Sequence, residues 1–410
     1  STIKVDTISE NTSANGVAVD GVTLKDGAVG VTGTALTVAG IPLFTADNSI
    51  YTHDVSGTDN TASFNAAYGI TALDAVTTAD FVTAIGYGAG SAINTGGYNT
   101  LIGHQAGLAM TSANTNTAIG HTALGSNTVG DRNTAVGSSA LSQFNPSSNT
   151  DNNNTAIGYA ALSRLTTGVH NIAIGSSALG ADPGVTTENN NLAIGVNSMG
   201  GNVAGGEFNV GIGNATLDAL TSGDSNTAIG YNSASGLTTG SANTFLGENA
   251  GSNAVVTGND NVVVGKSAGA NMTSAHSSVF MGKDAGGETT TGTLNTFVGY
   301  QAGKEATTAA ENTYIGYLAA GTGVGTSAYN VAVGNLTAQA ATSMSESIMI
   351  GHSAGNDNTT GSNIIAIGYQ AYDGADTENN NLAIGSNALG GSVAGGEENV
   401  AIGNSSLDAL

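Results

Sequence analysis

The chain has 410 residues, of which 62 are Gly and 3 are Pro, with no Cys, no Trp and only 9% charged residues. Its formal net charge is −23 with seven Lys and Arg in all. That argues against nucleic acid and against insertion into or docking on an anionic membrane, because both partners require clustered cations. The lack of Cys excludes disulfides and thiolate chemistry, and no apolar run approaches the roughly 18–20 residues of a membrane helix.

Residues 1–47 stand apart. The opening "STIKVDTISENTSANG" has no charged-then-apolar signal pattern. If Ser1 follows a removed Met, the expectation is a protein made without a secretion signal. Short alternating stretches, Val17-Ala18-Val19 and Val22-Thr23-Leu24, are separated by Asn-Gly and Asp-Gly turn signals. This predicts a small β-rich region, assigned to attachment.

Residues 48–410 read as one repeat array. The unit is "NTAIGYxAG" or "NTAIGxxAL", anchored on the Gly that follows an apolar residue, and nineteen clear copies run from residue 82, with anchors from Gly86 to Gly403. The spacing is 17 or 18 residues in sixteen of eighteen steps, and the two longer steps hold the turn-like "NPSSNTDNN" and "ADPGVTTENN". Positions are numbered here from the anchor Gly. Position −1 is Ile, Val, Leu or Met in all nineteen copies, −4 is Asn in fifteen, and +3 is always Ala, Ser or Thr. The exceptions at −4 are Val82, Ser278, Ser347 and Ile364. A degenerate copy holds Asn65 and Gly69, and Asn48 is expected to open another.

A unit this short does not fit helix-turn-helix repeats, and a Gly and an Asn in every unit oppose helices. The expectation is all-β: a parallel β-solenoid, or β-roll, of about 20 coils stacked about 4.8 Å apart. Each coil is expected to carry two short strands and two turns. The Thr and Ile of "NTAIG" share one strand face and the Ala takes the other. The Asn column is expected to hydrogen-bond from coil to coil and to tolerate a left-handed backbone. The Gly column suits positive φ or close approach of another backbone. The thin core places stability in stacking and in neighbouring chains, with the small-residue columns expected to bury against each other.

Overlaid on the coil repeat, residues 187–220 recur almost letter for letter at 377–410. Leu410 falls inside a unit, so the expectation is a piece of a longer or processed polypeptide.

No catalytic, cofactor-binding or metal-ligating residue is assigned, and no cofactor is expected. "GKSAG" at 265–269 and "GHSAG" at 351–355 match a nucleophile elbow, but "GYGAG", "GHQAG" and "GENAG" occupy the same register, so Ser267 and Ser353 are one filling among many. "VVVGKS" at 262–267 lacks the first Gly of a phosphate loop, since residue 260 is Asp. His104, His121 and His352 sit at +1, a column shared with Tyr87, Tyr159, Tyr231, Tyr300, Tyr317 and Tyr369. Packing and stacking are the expected role of that column, ahead of metal or glycan binding. Whether it faces solvent or a seam between chains is open, and so is the handedness of the coil. The calcium-binding nonapeptide roll is absent.

The "NTAIGxxA" units resemble the "NSVAIGxxA"-type repeats in the heads of trimeric autotransporter adhesins, although the period here is longer. The segment "STIKVDTISENTSANGVAVDGVTLKDG" resembles the N-terminal segments of tail-fibre proteins from marine, cyanophage-like viruses. Together these imply a side-by-side homotrimeric virion fibre. It would attach to a tail or capsid protein through its N-terminal region and contact a host-surface glycan or protein. The alternative they imply is a bacterial cell-surface adhesin or extracellular filament protein.

Overall fold

In the computed structural model the described residues are three strands, Ala35–Val38 (β1), Ile41–Ala46 (β2) and Ser49–Tyr51 (β3), and residues 60–408 apart from 149, 181–187, 202, 204, 324, 375–376 and 392–394. Most of the N-terminal region expected to serve attachment, residues 1–34, lies outside them.

β1 pairs antiparallel with β2, and β2 antiparallel with β3. From β3 the chain becomes a parallel β-solenoid. Twenty further three-residue strands, β4 (Ala66–Tyr68) to β23 (Val400–Ile402), each pair in register with the next. The 21 parallel rungs have a repeat of about 17 residues, and no described residue is helical. Thr100, Leu101 and Ile102, for example, lie opposite Thr117, Ala118 and Ile119 of the next coil.

Among the described residues each coil has one strand, not two. The far side keeps coil-to-coil hydrogen bonds, such as Thr111 N–H to Thr128 O at 2.9 Å, but only isolated bridges such as Leu237 with Val256. The backbone explains this. All fifty-two non-Gly residues of positive φ among those described fall at −5, +2 or +4, and such residues interrupt an extended run. Left-handed φ costs an L-residue about 1 kcal/mol or more. Nearly all of them donate their N–H to a neighbouring coil, as Tyr98 does to Asp80 O (2.9 Å), Gln105 to Tyr87 O (2.8 Å) and Leu124 to Ala140 O (3.0 Å). At about 1 kcal/mol per bond, stacking offsets the strain only when the next coil is in place. Stability therefore belongs to the array.

The Gly column combines both expected reasons. Gly120 has φ +137°, and a Cβ there would sit 2.4 Å from Gly137 O. The Asn column is buried and forms a ladder that is interrupted at Val82 and Ile364, whose side chains offer no acceptor. Asn99 Oδ1 accepts from Asn116 N (2.9 Å) and Nδ2 (3.3 Å), and Asn116 Oδ1 does the same for Asn133. Ser278 and Ser347 keep the acceptor with a hydroxyl, which takes the N–H of Asn295 (3.2 Å) and of Ile364 (3.1 Å). The left-handed residue is the one before the Asn, contrary to expectation. In the first rung the column is filled by Ser49, whose Oγ accepts from Asn65 N; Asn48, expected to open a copy, lies outside the described residues.

The strand's central residue and position +3 point inward and are buried. The small-residue columns therefore line each chain's own core and offer nothing to a neighbouring chain, which corrects the expectation that they pack between chains. In most coils core volume is traded between −2 and +4. Ala135 is partnered by Leu141 and Ala156 by Leu162, whereas Leu101 is partnered by Gly107 and Phe297 by Gly303. From Phe280 to Tyr314 the inner column becomes an aromatic stack, with ring centroids 5.2 and 5.0 Å apart.

Candidate interaction face

Alternation along the strand decides what the rod shows to its surroundings. In Phe64–Ile70 the odd steps Phe64, Ala66, Tyr68 and Ile70 are exposed, while Asn65 and Ala67 are buried. Positions −5, −3, −1 and +1 thus form four outward columns on one face, and −4 and −2 enter the core.

The two middle columns are the Thr/Val/Ile column at −3 and the Ile column at −1. Over all twenty strands from β4 to β23 they hold no charged residue, no Gly and no Pro. Most are β-branched, which suits a flat pleated surface. They are half-exposed: Ile85, Ile157, Ile229, Ile315 and Ile350 are 37–41% accessible. The apolar residue before every anchor Gly therefore points outward, not into the chain's core. This is an apolar stripe as long as the rod, roughly 90–100 Å for about twenty coils at 4.8 Å.

The flanking columns differ from coil to coil. The +1 column is exposed on the single chain, with Tyr159 64% accessible, so it is available to solvent or to a neighbouring chain alike. Tyr87, His104 and His121 stack at 5.3 and 5.0 Å, Tyr300 on Tyr317 at 5.2 Å, and His352 on Tyr369 at 5.4 Å. Ring faces in these stacks are covered by the next ring, so edges are presented. At −5 a second stack, Phe64, Phe81 and Tyr98, has centroids 5.0 and 4.9 Å apart. Its aromatic residues were not singled out in the sequence because −5 has no constant residue type. Lys266 pairs with Glu248 at 2.9 Å, and Arg132 with Asp151.

Two further polar ladders support the corners. At −6, side chains accept backbone N–H groups of the preceding coil, as Asp80 does from Ser63 (2.7 Å) and Asn114 from Gly97 (2.9 Å). At +8, Thr hydroxyls donate to the next coil, as Thr273 does to Thr290 O and Thr290 to Thr307 O.

Ser267 and Ser353 sit at +2 with φ +55°, each in a turn and not at a strand-to-helix elbow. His352 precedes Ser353 but is engaged in its stack on Tyr369. Among the described residues no three His, Asp or Glu side chains converge as metal ligands, and no helix is long and apolar enough to cross a membrane. Partial burial pushes the carboxyls of Asp131, Asp218 and Asp373 above the ordinary carboxylate value. Burial also raises the Tyr372 hydroxyl to about 12; it donates to Glu378 O at 2.9 Å. No protein-family model matches the chain, and no curated protein is significantly similar to it.

Proposed function

We propose that the chain is the shaft of a virion fibre of tail-fibre type: a rigid, side-by-side homotrimeric β-roll. Its N-terminal region binds a tail or capsid protein, and the shaft contributes to adhesion at the host surface. Its role is mechanical and multivalent, since repeated weak contacts along a rod add as avidity. The observation that carries this reading is the uncharged β-branched stripe over all twenty strands from β4 to β23. An apolar surface of that length calls for a cover. A rod of equal length and the same stripe covers it fully, and a rotation axis along the rod lets three stripes meet. The likeness of residues 1–27 to viral tail-fibre segments supports the virion setting.

A second reading, a bacterial surface adhesin or extracellular filament, rests on the likeness of the repeats to trimeric adhesin heads. Sedimentation of the full gene product gives the assembly, and immunogold labelling gives the location. Three chains per particle and label on virions are expected. A monomer removes the shaft reading, and label confined to cell surfaces moves the assembly to the second reading.

A further inference from the structure

Resting on that side-by-side assembly, we propose that copies meet with no axial offset, the −5 flank of one chain lying against the +1 flank of the next at every coil. This makes Asp260 the partner of Lys266 on the next copy, and makes the first coils an aromatic clamp.

The geometry follows from the order of the four outward columns. The −5 and +1 columns border the apolar stripe on opposite sides. Rotating a rod about an axis parallel to it, with stripes facing that axis, brings the −5 border of each copy beside the +1 border of its neighbour. An offset of one coil between neighbours would accumulate around the ring and leave it open, so a closed ring requires zero offset.

The residues brought level suit each other. Three successive coils pair Phe64 with Ile70, Phe81 with Tyr87 and Tyr98 with His104, all exposed on the single chain. Farther along, Asp260 comes level with Lys266, and Leu294 with Tyr300. No coil from Phe64 to Asn404 carries charges of one sign on both borders, although the chain is at −23. A slip of one coil toward the N-terminus would set Asp260 against Glu248. The face is also large enough. Four columns cover about six residue steps, roughly 20 Å, along a rod of about 95 Å. That is on the order of 1,900 Å², or about 950 Å² toward each of two neighbours, against about 800 Å² per partner in a standard interface.

The absence of Cys makes the test direct. Asp260→Cys with Lys266→Cys in the full chain is oxidised and run under denaturing, non-reducing conditions. Covalent trimers are expected, because each copy contributes one cysteine to each of its two seams. Asp260→Cys with Tyr317→Cys places the cysteines three coils apart, about 14 Å along the rod, and is expected to stay monomeric. Asp260→Cys alone is expected to do the same. Trimers from the offset pair, dimers from the single cysteine, or no cross-linking by the level pair in particles that still sediment as trimers would overturn the seam while leaving the assembly standing. A monomer in sedimentation before oxidation would remove the assembly itself.

Discussion

A Cβ placed on Gly303 would lie 2.6 Å from the ring of Phe297. Both residues sit in one coil, at +4 and −2, and φ at Gly303 is +56°, close to the +49° of Leu141 in a coil where Ala135 replaces the ring. The two coils are alternative solutions to one packing problem, a large residue from the strand or a large residue from the turn.

Exchange between these solutions is therefore expected to be compensating. Phe297→Ala alone should cost about 3–5 kcal/mol by leaving a cavity. Gly303→Leu alone should cost about 1–3 kcal/mol or more by overpacking. The double variant should recover most of the loss, because the backbone at Gly303 already has the conformation Leu141 adopts. Chemical denaturation of the four proteins gives the coupling energy. Additive losses would refute the trade.

The anchor glycines should be far less tolerant. Gly120→Ala drives a Cβ into the Gly137 carbonyl at positive φ, and neither backbone can yield without unstacking a coil. A loss of about 3 kcal/mol or more is expected, with increased hydrogen exchange at coils on both sides. Gly125→Ala is the control, since its nearest non-neighbour atom is Thr122 O at 3.1 Å and its φ is not positive. It should change stability by less than about 1 kcal/mol. Equal effects at the two sites would refute the close-approach explanation.

These contrasts bear on what the sequence makes legible. The period, the parallel stacking, the Asn ladder and the Gly column were readable because each rests on a residue type that recurs at a fixed position in every coil or nearly every coil. Even the "AG" and "AL" endings of the unit encode the balance between −2 and +4, as Gly107 with Leu101 and Leu141 with Ala135 illustrate. Which strand face turns inward was not readable. "TAI" places one small residue opposite two residues fit for either side, and only the inward turn of Asn116 and Ala123 puts Ala118 in the core. The missing second strand was hidden for a related reason. Beside some Asn and Asp, left-handed positions mostly hold residues such as Leu, Ser, Ala, Thr and Tyr that do not announce such a backbone.

Within the Asn ladder, the acceptor is expected to matter more than the amide as a whole. Asn116 Oδ1 takes two donors of Asn133, and its Nδ2 donates to Gly130 O at 3.0 Å. Asn116→Ser keeps an acceptor, as Ser278 and Ser347 do, and should cost about 1 kcal/mol. Asn116→Leu leaves buried donors of Asn133 without it and should cost about 2–4 kcal/mol. Thermal unfolding of both variants checks the order, and a less stable Ser variant would refute it.

Acidification should stabilise the rod before it harms it. The carboxyls of Asp131, Asp218 and Asp373 are raised, mainly by burial, above their ordinary value of 3.8. Between that value and the raised one, the folded chain binds more protons than the unfolded chain. Stability therefore falls as pH rises through this window, and the charging penalty is fully present above it. Relief of repulsion in a chain of net charge −23 acts in the same direction. The melting temperature is expected to climb as pH is lowered from 7 toward the carboxylate range. The variant carrying Asp131→Asn, Asp218→Asn and Asp373→Asn should show a shallower climb and a higher melting temperature at pH 7. At Asp131 the gain is tempered, because its carboxylate accepts Asn114 N at 2.6 Å, a bond an amide oxygen keeps in weaker form. A melting temperature that falls steadily on acidification, with the triple variant parallel to the parent, would reverse the sign assigned to these three groups.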